Sequence, residues 1–344
     1  MKKTEKLNIL VTGGAGYIGS HVVKQLAEKT GHNLFVLDNL STGYQATLEM
    51  LKKIYINSRG SLDGLSIIQM DLSNEEELER LFARHAIDAV MHFAASIVVP
   101  ESIDEPLKYY KNNTVNTINL IDLCIRHSVK RFIFSSTAAV YGEPVNVPIK
   151  ESETLKPINP YGHSKLMSEQ VIMDAANADG SLKYVILRYF NASGADTKLR
   201  IGERHEPETH LIPLIAKAAL GKSDAIKVFG RGYPTEDGTC IRDYIHIEDL
   251  ACAHIKALEY LHDGESDIFN CGYGHGYSVQ EVISAMKKVS EIDFKLEDSR
   301  RREGDPAVLI ADNQKIKKKL QWDPVYNDLE YICETALEWE RRWC

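Results

Sequence analysis

Val11-Thr12-Gly13-Gly14-Ala15-Gly16-Tyr17-Ile18-Gly19 joins a short apolar run to an amphipathic one and places glycines at 13, 16 and 19. A turn of this kind between a strand and a helix lets the backbone approach a pyrophosphate, while the free N–H groups and positive dipole end of the following helix attract it. Glycine turns also serve packing alone, so the surroundings decide. Here the turn lies between a strand over Leu7 to Thr12 and a helix over Tyr17 to Lys29, and a second strand, Leu34 to Leu37, runs into Asp38-Asn39. An acid at the end of that strand accepts hydrogen bonds from an adenosine ribose 2′-OH and repels a 2′-phosphate, which favours NAD over NADP.

Outward from the turn the alternation persists. Strands are expected over Leu65 to Met70, Ala89 to Phe93, Arg131 to Ser135 and Tyr184 to Tyr189. Helices are expected over Asn74 to His85, capped by Ser73, over Leu107 to Ser128 without a break, and over Tyr161 to Ala178. The insert between Ser41 and Ser61 has helical character. This is the pattern of an α/β, doubly wound parallel sheet, and Asp71-Leu72 and Phe93-Ala94-Ala95 fall at its C-terminal strand ends, where such folds bind ligands. Beyond Asn191 the pattern loosens into helices (His210 to Leu220, Ile247 to His262, Ser278 to Ser290) and isolated short strands. Two packed lobes follow, residues 1–190 and 191–344, with short segments crossing back.

Composition narrows the class. With 44% hydrophobic and 26% charged residues among 344, the chain is expected to fold end to end, and a net charge of -8 argues against nucleic acid. It leaves room for an anionic small molecule, which answers to local arginines. No run approaches the roughly 20 apolar residues of a membrane span. The six cysteines, at 124, 240, 252, 271, 333 and 344, lack disulfide or zinc spacing, so free thiols in a reducing cytoplasm and no metal are expected.

Tyr161-Gly162-His163-Ser164-Lys165 sets a phenol and an amine one helical turn apart on one face. A tyrosine becomes a base near neutral pH when positive charge favours its phenolate. The strand Arg131 to Ser135 leads into Ser136-Thr137-Ala138-Ala139-Val140-Tyr141-Gly142, bringing a hydroxyl to the same sheet edge. His92 and His246, beside apolar strand residues, read as satisfied core histidines.

Together these segments resemble the extended short-chain dehydrogenase/reductases, a family of the Rossmann type with a smaller α/β C-terminal substrate lobe, and within it the UDP-glucose 4-epimerases. Further matches are His92-Phe93-Ala94-Ala95, Arg188-Tyr189-Phe190-Asn191, the run from Tyr233 to His246, and Arg302-Glu303-Gly304-Asp305. The resemblance implies NAD held as a prosthetic group by Gly13, Gly16, Tyr17, Ile18, Gly19, Asp38, Asn39, Asp71, Leu72, Phe93, Ala94, Ala95, Asn113, Ser135, Tyr161, Lys165 and Tyr189. Asn113 is as well suited to supporting the cofactor loop as to touching the cofactor. Tyr161 is implied as the base at the C4 hydroxyl, Thr137 as its hydrogen-bonding partner, and Lys165 as the residue that holds the nicotinamide ribose and lowers the Tyr161 pKa. A UDP-hexose would contact Thr137, Tyr161, Asn191, His210, Leu211, Phe229, Arg242, Arg302, Asp305 and Leu309, the last beside the hexose C2 substituent. The resemblance further implies a homodimer, and in a doubly wound fold the helix Leu107 to Ser128 and the helix from Tyr161 are candidates to pair with their symmetry mates, though no sequence feature demands it. A 4,6-dehydratase shares this frame but carries Asp-Glu after the strand-end threonine, where this chain has Ala138-Ala139. A non-enzymatic NAD-sensing protein predicts loss of the tyrosine-lysine pair, and both residues are present.

Overall fold

A computed structural model describes residues 6–302 and 305–342. Glu303 and Gly304 of the arginine motif and Cys344 lie outside the described residues.

The chain opens β1 (Asn8–Thr12), α1 (Tyr17–Lys29), β2 (Asn33–Asp38), α2 (Gln45–Arg59), β3 (Leu65–Gln69), α3 (Glu75–Arg84) and β4 (Ala89–His92). It continues through α4 (Val99–Asp104), α5 (Pro106–Tyr109), a π-helical segment (Tyr110–Val115), α6 (Asn116–Arg126), β5 (Arg131–Thr137), α7 (Pro160–Asp179) and β6 (Lys183–Tyr189). Short pieces follow: β7 (Asn191–Ser193), α8 (Leu211–Ala219), β8 (Ile226–Phe229), β9 (Ile241–Arg242), β10 (Tyr244–His246) and α9 (Ile247–Tyr260). The remainder is β11 (Asp267–Cys271), β12 (Tyr277–Ser278), α10 (Val279–Ser290), β13 (Leu296–Ser299), β14 (Val308–Leu309), α11 (Gln314–Leu320) and α12 (Leu329–Arg341).

Seven parallel strands form the central sheet in the order β11-β6-β5-β4-β1-β2-β3. Strand order reverses between β1 and β4, so the loops leaving these two strands diverge and open the crevice that binds ligands in doubly wound folds. Both faces are covered by helices, which is why the strands read as unbroken apolar runs such as the buried Ile9, Leu10 and Val11. β11 reaches the sheet from residue 267, long after β6, and the small sheets β7–β10, β9–β12–β14 and β8–β13 lie outside it. None of the described helices is long and apolar enough to cross a membrane.

Three local expectations are corrected. The cap of α3 is Asn74, whose side chain accepts from Glu77 N at 3.3 Å, while Ser73 donates to Asp71 instead. The long helix from Leu107 is broken by the π-helical turn, because the buried Asn113 side chain is committed elsewhere: it accepts from Ser96 N (2.8 Å) and donates to Ser96 O (3.0 Å) and Ser164 Oγ (2.9 Å). β5 runs two residues past Ser135, pairing Ser136 with Arg188 and Thr137 with Tyr189.

Beneath that strand end lies a buried ion pair. Arg188 of β6 donates to Glu169 of α7 through Nη2 at 2.6 Å and Nε at 3.0 Å, and to Tyr141 Oη at 3.0 Å. Ser136 Oγ donates to the same carboxylate. Removing one partner strands a buried charge, so Arg188→Met is expected to cost about 3–5 kcal/mol of unfolding free energy, and Arg188→Met with Glu169→Met distinctly less. Urea denaturation of both variants at neutral pH measures this; equal losses would show that the charge, once unpaired, is solvated.

Candidate active site

The glycine turn is shaped by contact as much as by flexibility. Gly13 has φ +71°, and a Cβ there would lie 2.6 Å from Ala94 N, in the loop leaving β4; a Cβ at Gly19 would lie 2.2 Å from Gly13 O. Larger residues would therefore close the crevice and push α1 off the turn. α1 begins without an acidic residue in its first turn or a side-chain cap, leaving its amides free for an anion. Asp38 Oδ2 accepts from Ala15 N and Oδ1 from Leu40 N, both at 2.8 Å. Burial raises its carboxyl, and the bonds from Leu40, Ala15 and Gly16 oppose that shift. The same carboxylate thus locks the glycine turn onto the end of β2. Asn39 donates to Asp71, and Leu72 is buried behind them. Tyr17 Oη donates to Gly194 O at 2.6 Å, and Ile18 packs on the core. The cradle fits a dinucleotide: close backbone, free helix amides, and an acid at the ribose position.

Across the switch point, Phe93 stacks near His254 with ring centroids 4.8 Å apart, and Ala94 N donates to Thr12 Oγ1 at 3.4 Å. His92 is a core residue, bonded to Thr12 (2.7 Å) and Thr117 (3.0 Å), and burial lowers it to about 3. His246 is likewise lowered to about 3 by burial and contacts Thr335 at 3.2 Å. Asn113 holds the loop after β4 against α7, as its three bonds show, with Ala95 next to the Ser96 it grips.

At the end of β5 the tyrosine, the lysine and the strand-end hydroxyl come together. Tyr161 stands in the first turn of α7, whose N-cap Asn159 accepts from Gly162 N at 2.8 Å with Pro160 at the first helical position. Its phenol is buried, which raises its pKa, and interaction with the Thr137 hydroxyl lowers it. Lys165 Nζ donates to Ser135 O at 2.7 Å over the Phe134 ring. Ser135 and Tyr189 share a short hydrogen bond between their hydroxyls. The Lys165 amine is therefore engaged with the strand carbonyl.

A second cluster forms where the small sheets meet. Arg242 Nη2 is paired with Asp305, and Arg242 Nη1 donates to Ile241 O at 2.7 Å. Tyr233 Oη donates to Asp305 Oδ2 at 3.1 Å, Arg301 lies 4.3 Å over the Tyr233 ring, and Arg302 lies 3.9 Å over Phe229. Tyr233 and Arg301 escaped the sequence reading as individual contacts, although Tyr233 opens the matching run. β14 brings Leu309 into register with Arg242, and Leu309 packs against the Ala138, Val140 and Phe190 group that follows Thr137. Asn191 pairs with Tyr244 beside it. His210 and Leu211 stand apart from this cluster: the His210 imidazole is turned onto Glu203, and Leu211 opens α8 against the core.

A nucleotide cradle at the switch point, with a buried tyrosine, lysine and strand-end hydroxyl beyond it, defines an oxidoreductase-type site of the short-chain class. The chain belongs to the NAD dependent epimerase/dehydratase family, whose model matches residues 9–272. It is 47% identical over 334 residues to a UDP-glucose 4-epimerase of Halalkalibacterium halodurans, covering 97% of this chain and 95% of that one. The solved UDP-Glc/GlcNAc 4-epimerase of Campylobacter jejuni is 51% identical, with a TM-score of 0.85 over 98% of this chain and 99% of its own. The Bifidobacterium longum UDP-glucose 4-epimerase solved with NAD+ and UDP is 38% identical, with a TM-score of 0.91 over 97% of this chain and 98% of its own. This protein is an enzyme, an NAD-dependent epimerase.

Burial lowers the Lys165 ammonium to about 7, with Glu169 opposing. In an unfolded chain lysine titrates near 10.4, so between these values the folded protein binds fewer protons than the unfolded one, and stability rises with pH. The cost of burying this charge is thus full below pH 7 and fades toward pH 10. Lys165→Met removes it, so the Tm of the variant minus that of the wild type is expected to be larger at pH 7 than at about pH 9.5. A difference independent of pH would show that the amine keeps its water.

Proposed function

We propose that the enzyme inverts C4 of a UDP-hexose, interconverting UDP-glucose and UDP-galactose. The observation that carries this reading is the convergence of Tyr161 and Thr137 at one strand end, with the Arg242–Asp305 cluster joined to it through Leu309. Tyr161 takes the proton of the C4 hydroxyl and returns it, Thr137 hydrogen-bonds the same oxygen, and Lys165 orients the nicotinamide ribose and favours the phenolate. NAD, when bound, supplies the reversible hydride acceptor at C4. Ser135, Tyr189, Phe93, Ala94 and Ala95 wall the nicotinamide side, while Gly13, Gly16, Tyr17, Ile18, Gly19, Asp38, Asn39, Asp71 and Leu72 hold the adenosine diphosphate side. Arg242, Arg302, Asp305, Phe229, Asn191 and the main chain of His210 and Leu211 grip UDP, whose phosphates match arginine forks and helix amides. With the nucleotide held, the 4-keto hexose turns about its bond to the diphosphate and presents its other face. Residues 1–190 serve as the cofactor lobe and 191–344 as the UDP-sugar lobe, with β11 crossing back.

Elimination of water would need an acid and a base beside C5 and C6, and Ala138 and Ala139 supply neither. The exposed apolar side chains Ile103, Leu107, Val115, Ile118 and Met167 on α4 to α7 support a homodimer through this face. The free cysteines support a reducing compartment, the cytoplasm.

Purified protein given UDP-galactose and no added cofactor is expected to form UDP-glucose, and Tyr161→Phe to lower kcat by about 10²–10⁴. A variant retaining more than about a tenth of the wild-type kcat removes Tyr161 as the base.

Substrate breadth follows from Leu309. The enzyme from Campylobacter jejuni is described as acting on both glucose and N-acetylglucosamine forms. Leucine is branched but short of an aromatic ring's reach, so turnover of UDP-N-acetylgalactosamine beside UDP-galactose is part of the proposal. Leu309→Tyr is expected to suppress the N-acetylated reaction selectively and Leu309→Ser to favour it at some cost in packing. The ratio of kcat/KM for the two sugars measures this, and a ratio that ignores the size of residue 309 moves the gate elsewhere.

A further inference from the structure

Between β7 and α8 the chain carries Glu203-x-His205-x-x-Glu208-x-His210, four side chains to which the proposed reaction gives no role. One ligating atom from each of the four lies within 4.8 Å of every other. His205 Nδ1 is 3.3 Å from Glu203 Oε1 and 3.9 Å from Glu208 Oε2, and His210 Nδ1 contacts Glu203 and lies 3.7 Å from Glu208 Oε1. Both carboxylate side chains are only 4% exposed. His205 Nδ1 is buried and makes no hydrogen bond among the described residues, although two carboxylates face it. An imidazole nitrogen without a hydrogen bond, beside two buried carboxylates, is expensive unless something positive lies between them.

We propose that Glu203, His205, Glu208 and His210 bind one divalent transition-metal ion, zinc in the first place, as a structural site. Two imidazole nitrogens and two carboxylate oxygens suit zinc better than magnesium or calcium, and four protein donors leave no open coordination position, the arrangement of a structural zinc rather than a catalytic one. Two carboxylates balance a dication. Donors around a tetrahedral zinc, with bonds of about 2.0–2.2 Å, lie about 3.3–3.5 Å apart, so from the 4.8 Å limit the set needs to contract by at most about 1.5 Å, a change within reach of side-chain torsions. The metal would close a loop already fixed at one point: Trp339 Nε1 of α12 donates to Glu203 O at 2.7 Å, and Gly202 lies against the same ring. It would thereby hold the approach to α8, where His210 and Leu211 stand. Cysteine spacing carries no trace of such a site, which explains why none was expected from the sequence.

The test uses untagged full-length enzyme, stripped with a chelator and dialysed, with Co²⁺ as spectroscopic probe and Zn²⁺ for stability. Supporting results are one Co²⁺ per chain with visible d–d bands and without thiolate charge-transfer bands, displaced by Zn²⁺. Saturating Zn²⁺ should also raise Tm by about 3–5 °C. His205→Ala with His210→Ala should weaken Co²⁺ binding by at least about 100-fold. Should that variant fail to fold, Glu208→Gln keeps the loop's volume and should weaken binding by about tenfold or more. Overturning results are less than about one tightly bound Co²⁺ per wild-type chain, a spectrum dominated by thiolate, or unchanged affinity in the variants.

Discussion

The arrangement of Tyr161, Lys165 and Thr137 rests on the buried pair between Glu169 and Arg188. Glu169 lies one helical turn beyond Lys165 and two beyond Tyr161 on α7, so its anchoring fixes the rotation of that helix. Arg188 precedes Tyr189, and Ser136, which donates to the same carboxylate, precedes Thr137. One carboxylate therefore ties α7, β5 and β6 at the level where Tyr161, Thr137, Ser135 and Tyr189 stand. A buried pair of this kind is weak as a source of stability, since desolvating two charges offsets most of their attraction. Its value lies in register: an apolar replacement would pack, but would allow the helix to turn relative to the sheet.

The network extends beyond the pair. Arg188 also holds Tyr141, whose hydroxyl donates to Asn270 at 2.7 Å, and Asn270 donates to Ile149 O at 2.7 Å. This links the turn after Thr137 to β11, the strand that joins the sheet from far along the chain. On the opposite side Asn113 does the equivalent work for the loop after β4, at the cost of a regular helix. π-helical turns often mark sites where a side chain is needed in a position that an α-helix would not give. The active site is thus braced from both flanks by buried polar side chains, each with its partners satisfied.

Much of this was legible in the sequence because it follows from local rules. The glycine turn and the parallel strands are visible as contact-free requirements: a backbone that must come close, and residues buried on both faces. The tyrosine-lysine pair is visible as helical spacing. What escaped depends on contacts between distant segments. Asn113 reads as an ordinary helical residue until Ser96 and Ser164 are seen beside it, and Ser73 and Asn74 are equally good caps until Asp71 takes the serine. Glu169 carries no signal, since an acid on a helix is normally solvated. Tyr233 acquires a role only when Arg301 and Asp305, which lie between β13 and β14, pack against it, and β11 reaches its edge only through the crossover.

The two halves of the site are built to different standards of rigidity, and this has a mechanistic logic. The glycine turn and Thr137 rest on a seven-stranded sheet, whereas Arg242 and Leu309 rest on a small sheet of two-residue strands, β9, β12 and β14. What holds those strands is largely Asp243, buried, with its carboxylate accepting from Tyr273 N (2.8 Å), Gly274 N (3.0 Å) and Ala311 N (3.2 Å). Burial raises this carboxyl to about 6, and the same three amides hold it down. Short ladders with few hydrogen bonds open locally at lower cost than a central sheet. An epimerase needs that asymmetry. The proton acceptor and the hydride acceptor must keep their mutual distance through both half-reactions, because a displacement of about 1 Å at the reacting atoms costs about a hundredfold in rate. The hexose, by contrast, must leave one face and present the other between the two half-reactions. Leu309 and Arg242 lie on short strands pinned through one carboxylate, whereas Thr137 ends a strand of the central sheet and Tyr161 stands on α7 packed against it.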